Sequence, residues 1–494
     1  MASSIETAIR GVVTKGVSAI ADFNRKRLPR DGAHPFLTGI HQPMTRELTI
    51  DELAVTGTIP AALDGRYLRI GPNPVAPDPA GYHWFVGDGM VHAIKLEGGE
   101  ARWYRNRWIR SRAVADALGE RAAPGPRHSF DTVNTNVVGI AGRTFALVEA
   151  GSYPVELSDT LDEQTYNPFD DTLVGSFTAH PHQDPLTGEW HAIAYEATDP
   201  DSVRHVVLSP GGQVTREEPI AVRHGPSIHD CAFTQRFAVV MDLPVTFSMK
   251  AMIGGHSFPY RWNPDHAARV GLLPRGGAGG KIVWCALPAP AYAFHVANAF
   301  DLPDGRVALD VVAYDSMFQP DNVGPDAVPR GLERWTIDPA TQTVTIATLD
   351  ASPQEFPRID DRRWGQPYRY AYSLGLVDTE FAIGAHHIIK HDLDADIHLR
   401  HDFGRDAYPG EFVFVPRQVD AGEDDGWLIG LVIDMAQQTT DLVILDARRF
   451  EDAPVASIRI PHRVPPGFHG NWLPQGRAIR LDTRLLPQNR KNGD

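Results

Sequence analysis

Wound at 100° per residue, positions 5 to 23 place Ile5, Ile9, Val12, Val13, Val17, Ile20 and Phe23 within about 140° of arc. Glu6, Arg10, Lys15, Ser18 and Asp22 fill the remainder. The pattern predicts an amphipathic helix. Its apolar face has two possible partners, the body of the protein or a lipid surface. Lys15, Arg25, Lys26 and Arg27 supply cations for an anionic surface. Past Pro29 the pattern changes to short strands. FAVVMDLPVTF (237–247), RVALDVVAY (306–314), TVTIATL (343–349), WLIGLVIDM (427–435) and DLVILDARRF (441–450) are rich in β-branched residues and bounded by turn residues. Segment 250–280 reads as a long irregular insert, with Met249, Met252, Ile253, Phe258 and Trp262 expected on its surface. An apolar loop of this length is a lid, a binding surface or an inert crossover. The expected division is 1–30, a helix and linker, and 31–494, the main body.

Composition narrows the fold class. Gly (44) and Pro (40) are spread over all 494 residues and not gathered in one linker, which favours many short strands over long helices. With 47 basic and 62 acidic side chains the net charge is −15, so nucleic acid is excluded as a partner. Cys231 and Cys285 form no CxxC pair. That argues against a thiolate zinc site or a disulfide framework and for a reducing compartment. No run of 18 apolar residues or secretory signal pattern is present. The expected location is cytoplasmic, with association at a membrane surface left open.

The 21 histidines carry the candidate chemistry. His386, His387, His391, His398 and His401 fall on a predicted hairpin, AHHIIKHDL returning as DIHLRHDFG, whose alternation turns them toward solvent. Four others stand at the edges of apolar or aromatic stretches: His180 in FTAHPHQDPLTGE, His229 in SIHDCAFT, His295 in YAFHVANAFD and His469 in VPPGFHGNW. Glu355 in QEFPRID and Glu411 in PGEFVFVPR have similar settings, and a Glu in an apolar strand is costly unless paired. In chain order the intervals between 180, 229, 295, 355, 411 and 469 are 49, 66, 60, 56 and 58 residues. That quasi-period matches a four-stranded propeller blade plus its connection. Residues placed alike on each inner strand would meet on the central axis. Six such units and the preceding chain suggest seven blades. Four neutral imidazoles suit Fe, Zn, Cu or Ni, with glutamates holding the outer imidazole N–H groups.

At these residues the chain resembles the carotenoid cleavage oxygenases, the family that includes apocarotenoid, carotenoid and stilbene cleaving enzymes and the retinoid isomerase. The resemblance runs from about residue 35 to the C-terminus. It rests on ELTIDELAVTGTIPAALDGRYLRIGPNP (47–74), HWFVGDGMVHAIKLEGGEARWYRNRWIRS (83–111), TAHPHQDPLTGE, the His-Asp at 229–230, FHVANA, EFPRID, the Glu411 segment and GFHGNW, in that order. The resemblance implies an all-β, seven-bladed propeller with a loop and helix cap over the metal face. It implies non-haem Fe(II) on His180, His229, His295 and His469. Glu355, Glu411 and Glu149 in FALVEAGSYP match outer carboxylates, and only the resemblance nominates Glu149. Thr135 matches a position that crowds an open iron site.

The implied reaction inserts both atoms of O2 across a conjugated C=C bond of a carotenoid or apocarotenoid, giving two carbonyl products. No protein general acid or base, organic cofactor or obligate protein partner is assigned. Phe294 and Phe468, each preceding an implied ligand, are candidate substrate walls that could stabilise cationic character along a polyene. Stilbene-cleaving members carry a lysine where this chain has Val148, so the expected substrate is a lipophilic polyene. Asp301 and His182 depart from the common Glu and Lys without a mechanistic consequence. The alternatives are cleavage of a stilbenoid or phenylpropanoid alkene, and a propeller that binds a lipophilic ligand without catalysis. A polyene must be drawn from lipid, so helix 5–23 and insert 250–280 are expected to flank a tunnel mouth.

Overall fold

The computed structural model describes residues 20–21, 23–26, 28, 34–276, 279–319, 324–325, 327–377 and 384–475. Most of the predicted helix, residues 5–19 and 22, lies outside the described residues. Among the described residues, six sheets of four or more strands, antiparallel but for one pair, and one two-stranded ribbon make an all-β, propeller-like arrangement. The five predicted strands all form, as Phe237–Asp242 with Val245–Phe247, Val307–Tyr314, Thr343–Asp350, Gly426–Asp434 and Thr439–Asp446.

Both ends of the described chain close the ring. Gly470–Pro474 pairs antiparallel with Gly65–Pro72 in the first sheet, and Ala54–Gly57 pairs with Ala456–Ile460 in the last. The largest sheet has eight strands, but its halves meet only through one parallel pair, Ala286 and Thr343. Apolar side chains fill the spaces between neighbouring sheets. Ile94, Leu96 and Tyr104 pack with Val413, Ile429 and Ile458 from the opposite end of the chain. Sheet faces that are buried on both sides account for the apolar strands in the sequence.

Segment 250–280 is less irregular than expected. Met249–Ile253 is a short helix capped by Ser248, Tyr260–Trp262 pairs with Val245–Phe247, and Arg269–Pro274 is an inner strand paired with Phe237–Asp242. Of its five apolar residues only Met249 is strongly exposed, at 52%. The short apolar run around Arg269–Pro274 sits between Pro- and Gly-rich stretches that mask its strand character. Asn24 and Arg25 hold on to this segment. Asn24 Nδ2 donates to the Ile253 carbonyl (2.7 Å) and Arg25 Nε to that of Gly255 (3.1 Å).

The predicted histidine hairpin forms from His387–Asp392 and Ile397–Asp402. Its expected solvent exposure does not hold throughout, since His391 is 0% exposed and His401 is buried. The first strand is buried on both faces from Ile388 to His391, so alternation does not sort inside from outside there, while the second strand stays largely exposed.

Candidate metal centre

The key side chains stand on, or just before, the edge strand that each sheet turns toward its centre. His180 and His229 precede the short strands His182–Gln183 and Ala232–Phe233, and His469 precedes Gly470–Pro474. His295, Glu355 and Glu411 lie within edge strands. In each of these three the ladder slips at the site: between Ala293 and Val296, Glu355 and Arg358, and Pro409 and Phe412. A bulge re-aims a side chain that a regular pleat would send along the sheet face. Another four-stranded sheet has Asn136–Ile140 at its edge, with no slip in its ladder, and the residue just before it is Thr135. Glu149 follows the second strand, Arg143–Leu147, which is why the interval pattern missed it.

Four imidazoles from segments far apart in sequence converge. Nε2 of His229 is 3.2 Å from Nε2 of His180 and 3.2 Å from that of His295, and His295 is 3.1 Å from His469. One ligand atom from each of the four lies within 4.8 Å of the others. Three of the four outer nitrogens are taken. His229 Nδ1 donates to Glu149 Oε1 (3.0 Å), His295 Nδ1 to Glu355 Oε2 (2.5 Å) and His469 Nδ1 to Glu411 Oε1 (3.1 Å). A carboxylate only accepts, so these protons sit on Nδ1 and the Nε2 lone pairs point at one another. Lone pairs this close repel unless a cation lies between them. The donor set therefore fits one metal ion, held by neutral imidazoles whose tautomer and tilt are fixed from behind.

Burial, with smaller contributions from the neighbouring imidazoles, drives His180 and His469 well below the ordinary histidine range, so both are neutral ligands at pH 7. For His295 burial is outweighed by the Glu355 carboxylate, which lifts it above the ordinary value. Burial raises the Glu411 carboxyl, and Arg358 opposes that rise from 3.4 Å.

The carboxylates are themselves tied down. Glu355 accepts from Tyr314 Oη (2.8 Å) and Phe356 N (2.5 Å), Glu411 from Gly470 N (2.8 Å), and Glu149 from Tyr195 Oη (3.2 Å). The residues that follow two of them, Ala150 (φ 66°) and Phe356 (φ 52°), are left-handed, a conformation that costs a non-glycine residue of order 1 kcal/mol.

A cavity of about 820 Å³ opens onto the imidazoles and is lined mainly by apolar and aromatic side chains. Phe294, Phe468, Val148 and Thr135 all line it. Phe294 stands edge-on to His229 at 5.3 Å, and Phe468 lies 4.7 Å from Trp84. The Thr135 hydroxyl donates to Asn134 Oδ1 (2.9 Å). Sequence reasoning missed the hub of this wall. Phe85 lies 5.5–5.8 Å from Phe258, Phe294, Phe318 and Phe468. Phe356 stacks on His295 at 5.0 Å. The HWF run at 83–85 was a usable signal, since each of its rings finds an aromatic partner from elsewhere in the chain: His83 stacks on Phe258 and Trp84 on Phe36. His182 and Asp301 hold framework contacts, to Asp230 (2.8 Å) and to Arg236 and Thr234 (2.9 and 3.0 Å).

Comparisons with known proteins place these features in context. The family model described as retinal pigment epithelial membrane protein (RPE65) matches residues 41–474. A carotenoid cleavage oxygenase of Mycobacterium tuberculosis is 40% identical, over 90% of this chain and 98% of that protein. A carotenoid 9,10(9',10')-cleavage dioxygenase 1 of Arabidopsis thaliana is 31% identical, over 90% and 91%. Among solved structures, a lignostilbene dioxygenase of Pseudomonas brassicacearum superposes with a TM-score of 0.81 at 28% identity, covering 90% of this chain and all of that one.

Proposed function

The chain belongs to the RPE65 family of carotenoid cleavage oxygenases, and from that premise we propose that it is a non-haem Fe(II) dioxygenase that cleaves a conjugated C=C bond of a carotenoid or apocarotenoid. The observation that carries this reading is the meeting of four Nε2 lone pairs, three of them braced by glutamate, at the wall of an aromatic cavity. His180, His229, His295 and His469 would hold the iron, and Glu149, Glu355 and Glu411 would orient it through the imidazoles. Bound iron supplies the activation of O2 that organic side chains cannot achieve alone.

The remaining work falls to the chain. The cavity's rings bind a flat apolar polyene and exclude water from it. Phe294, Phe356 and Phe468 flank the imidazoles, where their π-faces would stabilise positive character on the reacting chain. With its hydroxyl held by Asn134, Thr135 would offer its methyl group to the cavity and limit how many positions around the ion a ligand can reach. The net reaction places one oxygen atom on each of the two carbons of the broken double bond. No protein proton donor or acceptor is required.

Val148 supports this reading over a stilbenoid substrate. It lines the cavity just before Glu149, and its isopropyl group cannot ionise or grip a phenol oxygen. The structural likeness to a lignostilbene dioxygenase keeps the second reading open to test. Product analysis under ¹⁸O2 with β-carotene, apocarotenals and resveratrol tests both. Label in both aldehydes from a polyene, with resveratrol untouched, is the expected result. Cleavage of resveratrol alone would overturn the assignment.

For the architecture, the single Ala286–Thr343 link supports splitting the eight-stranded sheet into two four-stranded units. On that reading the main body, 31–494, would have seven blades, with 1–30 as the helix and linker. No helix among the described residues is long and apolar enough to cross a membrane. A cytoplasmic enzyme resting on a membrane surface fits the apolar rim. Ile20 and Phe23, the last two members of the predicted apolar face, are 50% and 54% exposed, as is Met249 at 52%. Ala21 and Arg25 line the cavity itself, which supports a rim near its mouth. Replacing Ile20 and Phe23 by Ser should lower co-sedimentation with liposomes. Unchanged binding would remove these residues from the anchor.

A further inference from the structure

A second histidine group, in a different part of the fold, has the makings of a site of its own. Asp350 ends the strand Thr343–Asp350, which belongs to the eight-stranded sheet, whereas His391 and His398 face each other across the hairpin of the neighbouring four-stranded sheet. One ligand atom from each of the three residues lies within 4.8 Å of the others. His391 Nδ1 is 2.8 Å from His398 Nδ1 and 3.8 Å from Asp350 Oδ2.

The protonation of this group follows from its neighbours. Gln354 Nε2 donates to Asp350 Oδ2 (3.1 Å) and to the Ser352 carbonyl (3.2 Å), so the Gln354 amide oxygen faces His391. That oxygen accepts from His391 Nε2 at 2.9 Å. The neutral His391 ring therefore carries its proton on Nε2 and presents a lone pair at Nδ1, toward His398 and Asp350. Asp350 Oδ1 is occupied by Ser352 N and Oγ (2.9 and 2.8 Å), which turns Oδ2 to the same spot. A buried imidazole is thus locked from behind by an amide, as the ligands of metal sites commonly are.

We propose that Asp350, His391 and His398 bind a zinc-type divalent cation that staples two neighbouring sheets together. Zinc bonds of about 2.0–2.1 Å put tetrahedral ligands roughly 3.3 Å apart, and the observed 2.8 and 3.8 Å bracket that spacing. The half-exposed His398 ring has room to make the difference, and it leaves an entry path for the ion and a position for water.

The test uses full-length protein purified with the metal of its four-histidine centre in place. Wild type, His398→Ala and Asp350→Asn are each dialysed against Zn²⁺, and iron and zinc are counted separately by elemental analysis. Zinc-dependent thermal midpoints are measured in parallel. The expected result is one zinc per wild-type chain beyond the central metal and a midpoint that rises with zinc. Both variants should bind this zinc at least about tenfold more weakly, with unchanged iron. No additional zinc in wild type, or additional zinc retained by both variants, would overturn the proposal. Should one variant fail to fold, the other decides.

Discussion

The two histidine groups of this protein are built by opposite routes. The central four come from segments separated by up to 289 residues between neighbours in space, as His180 and His469 show, with ring centroids 4.5 Å apart. The peripheral pair comes from one hairpin, seven residues apart. At the centre three imidazoles are backed by carboxylates, and at the periphery His391 is backed by the neutral amide of Gln354. A carboxylate raises ligand basicity and helps to balance a buried divalent charge, and an amide only fixes orientation. The centre is therefore suited to a tightly held ion exposed to an apolar cavity, and the periphery to a weaker structural one.

The sharpest break of this contrast is His295→Ala. It removes a ligand and leaves Glu355 buried opposite a cavity, so iron content and oxygen uptake should fall together by about 10³-fold or more. Retained iron with full turnover would show that the four imidazoles do not share one ion.

Next in size is Glu355→Gln. The amide keeps the shape but lacks the charge, and the expected loss is about 10- to 100-fold in iron affinity or turnover. Titration of the apo-protein with Fe²⁺ under anaerobic conditions measures it. A change of less than about twofold would make the backing carboxylates equivalent to the peripheral amide.

A third group of histidines, outside both candidate sites, separates burial from metal binding. Burial, aided by Arg463 for His41, Arg275 for His191 and Arg216 for His205, lowers these residues from 6.5 to about 3, about 2 and about 3. They stay neutral in the fold while the unfolded chain takes up protons below pH 6.5. Their stability contribution is thus complete above 6.5 and declines on acidification toward their folded values. Each should cost about 1.4 kcal/mol per pH unit in that window. The urea midpoint of the iron-loaded protein should drop between pH 7 and pH 5 at constant m-value. An unchanged midpoint would show that these rings are not kept neutral.

The smallest expected effect is that of His398→Ala on the centre. Iron content and oxygen uptake should stay within about twofold of wild type, because this half-exposed ring touches neither the cavity nor its glutamates. A large loss would couple the two groups and end the contrast.

Much of the centre was legible because its residues repeat. One blade's worth of chain returns to the axis at each turn, so His180, His229, His295, Glu355, Glu411 and His469 announce themselves by interval. Glu149 does not, since it follows a second strand and not an edge strand. The aromatic hub at Phe85 was missed for a related reason. Its partners Phe258, Phe294, Phe318 and Phe468 meet only across different blades. The burial of His391 was also misjudged, because alternation marks inside and outside only where one sheet face is wet.

By itself the sequence determined the all-β class, the places of five strands, the net negative charge and, through the resemblance its motifs carry, which four histidines converge, because these depend on local pattern and periodic spacing. Only the tertiary structure decided which nitrogen of each histidine faces inward, how the bulges at His295, Glu355 and Glu411 aim their side chains, and which rings wall the cavity. Those are relations between residues distant in the chain, and they come into being when the ring of sheets closes.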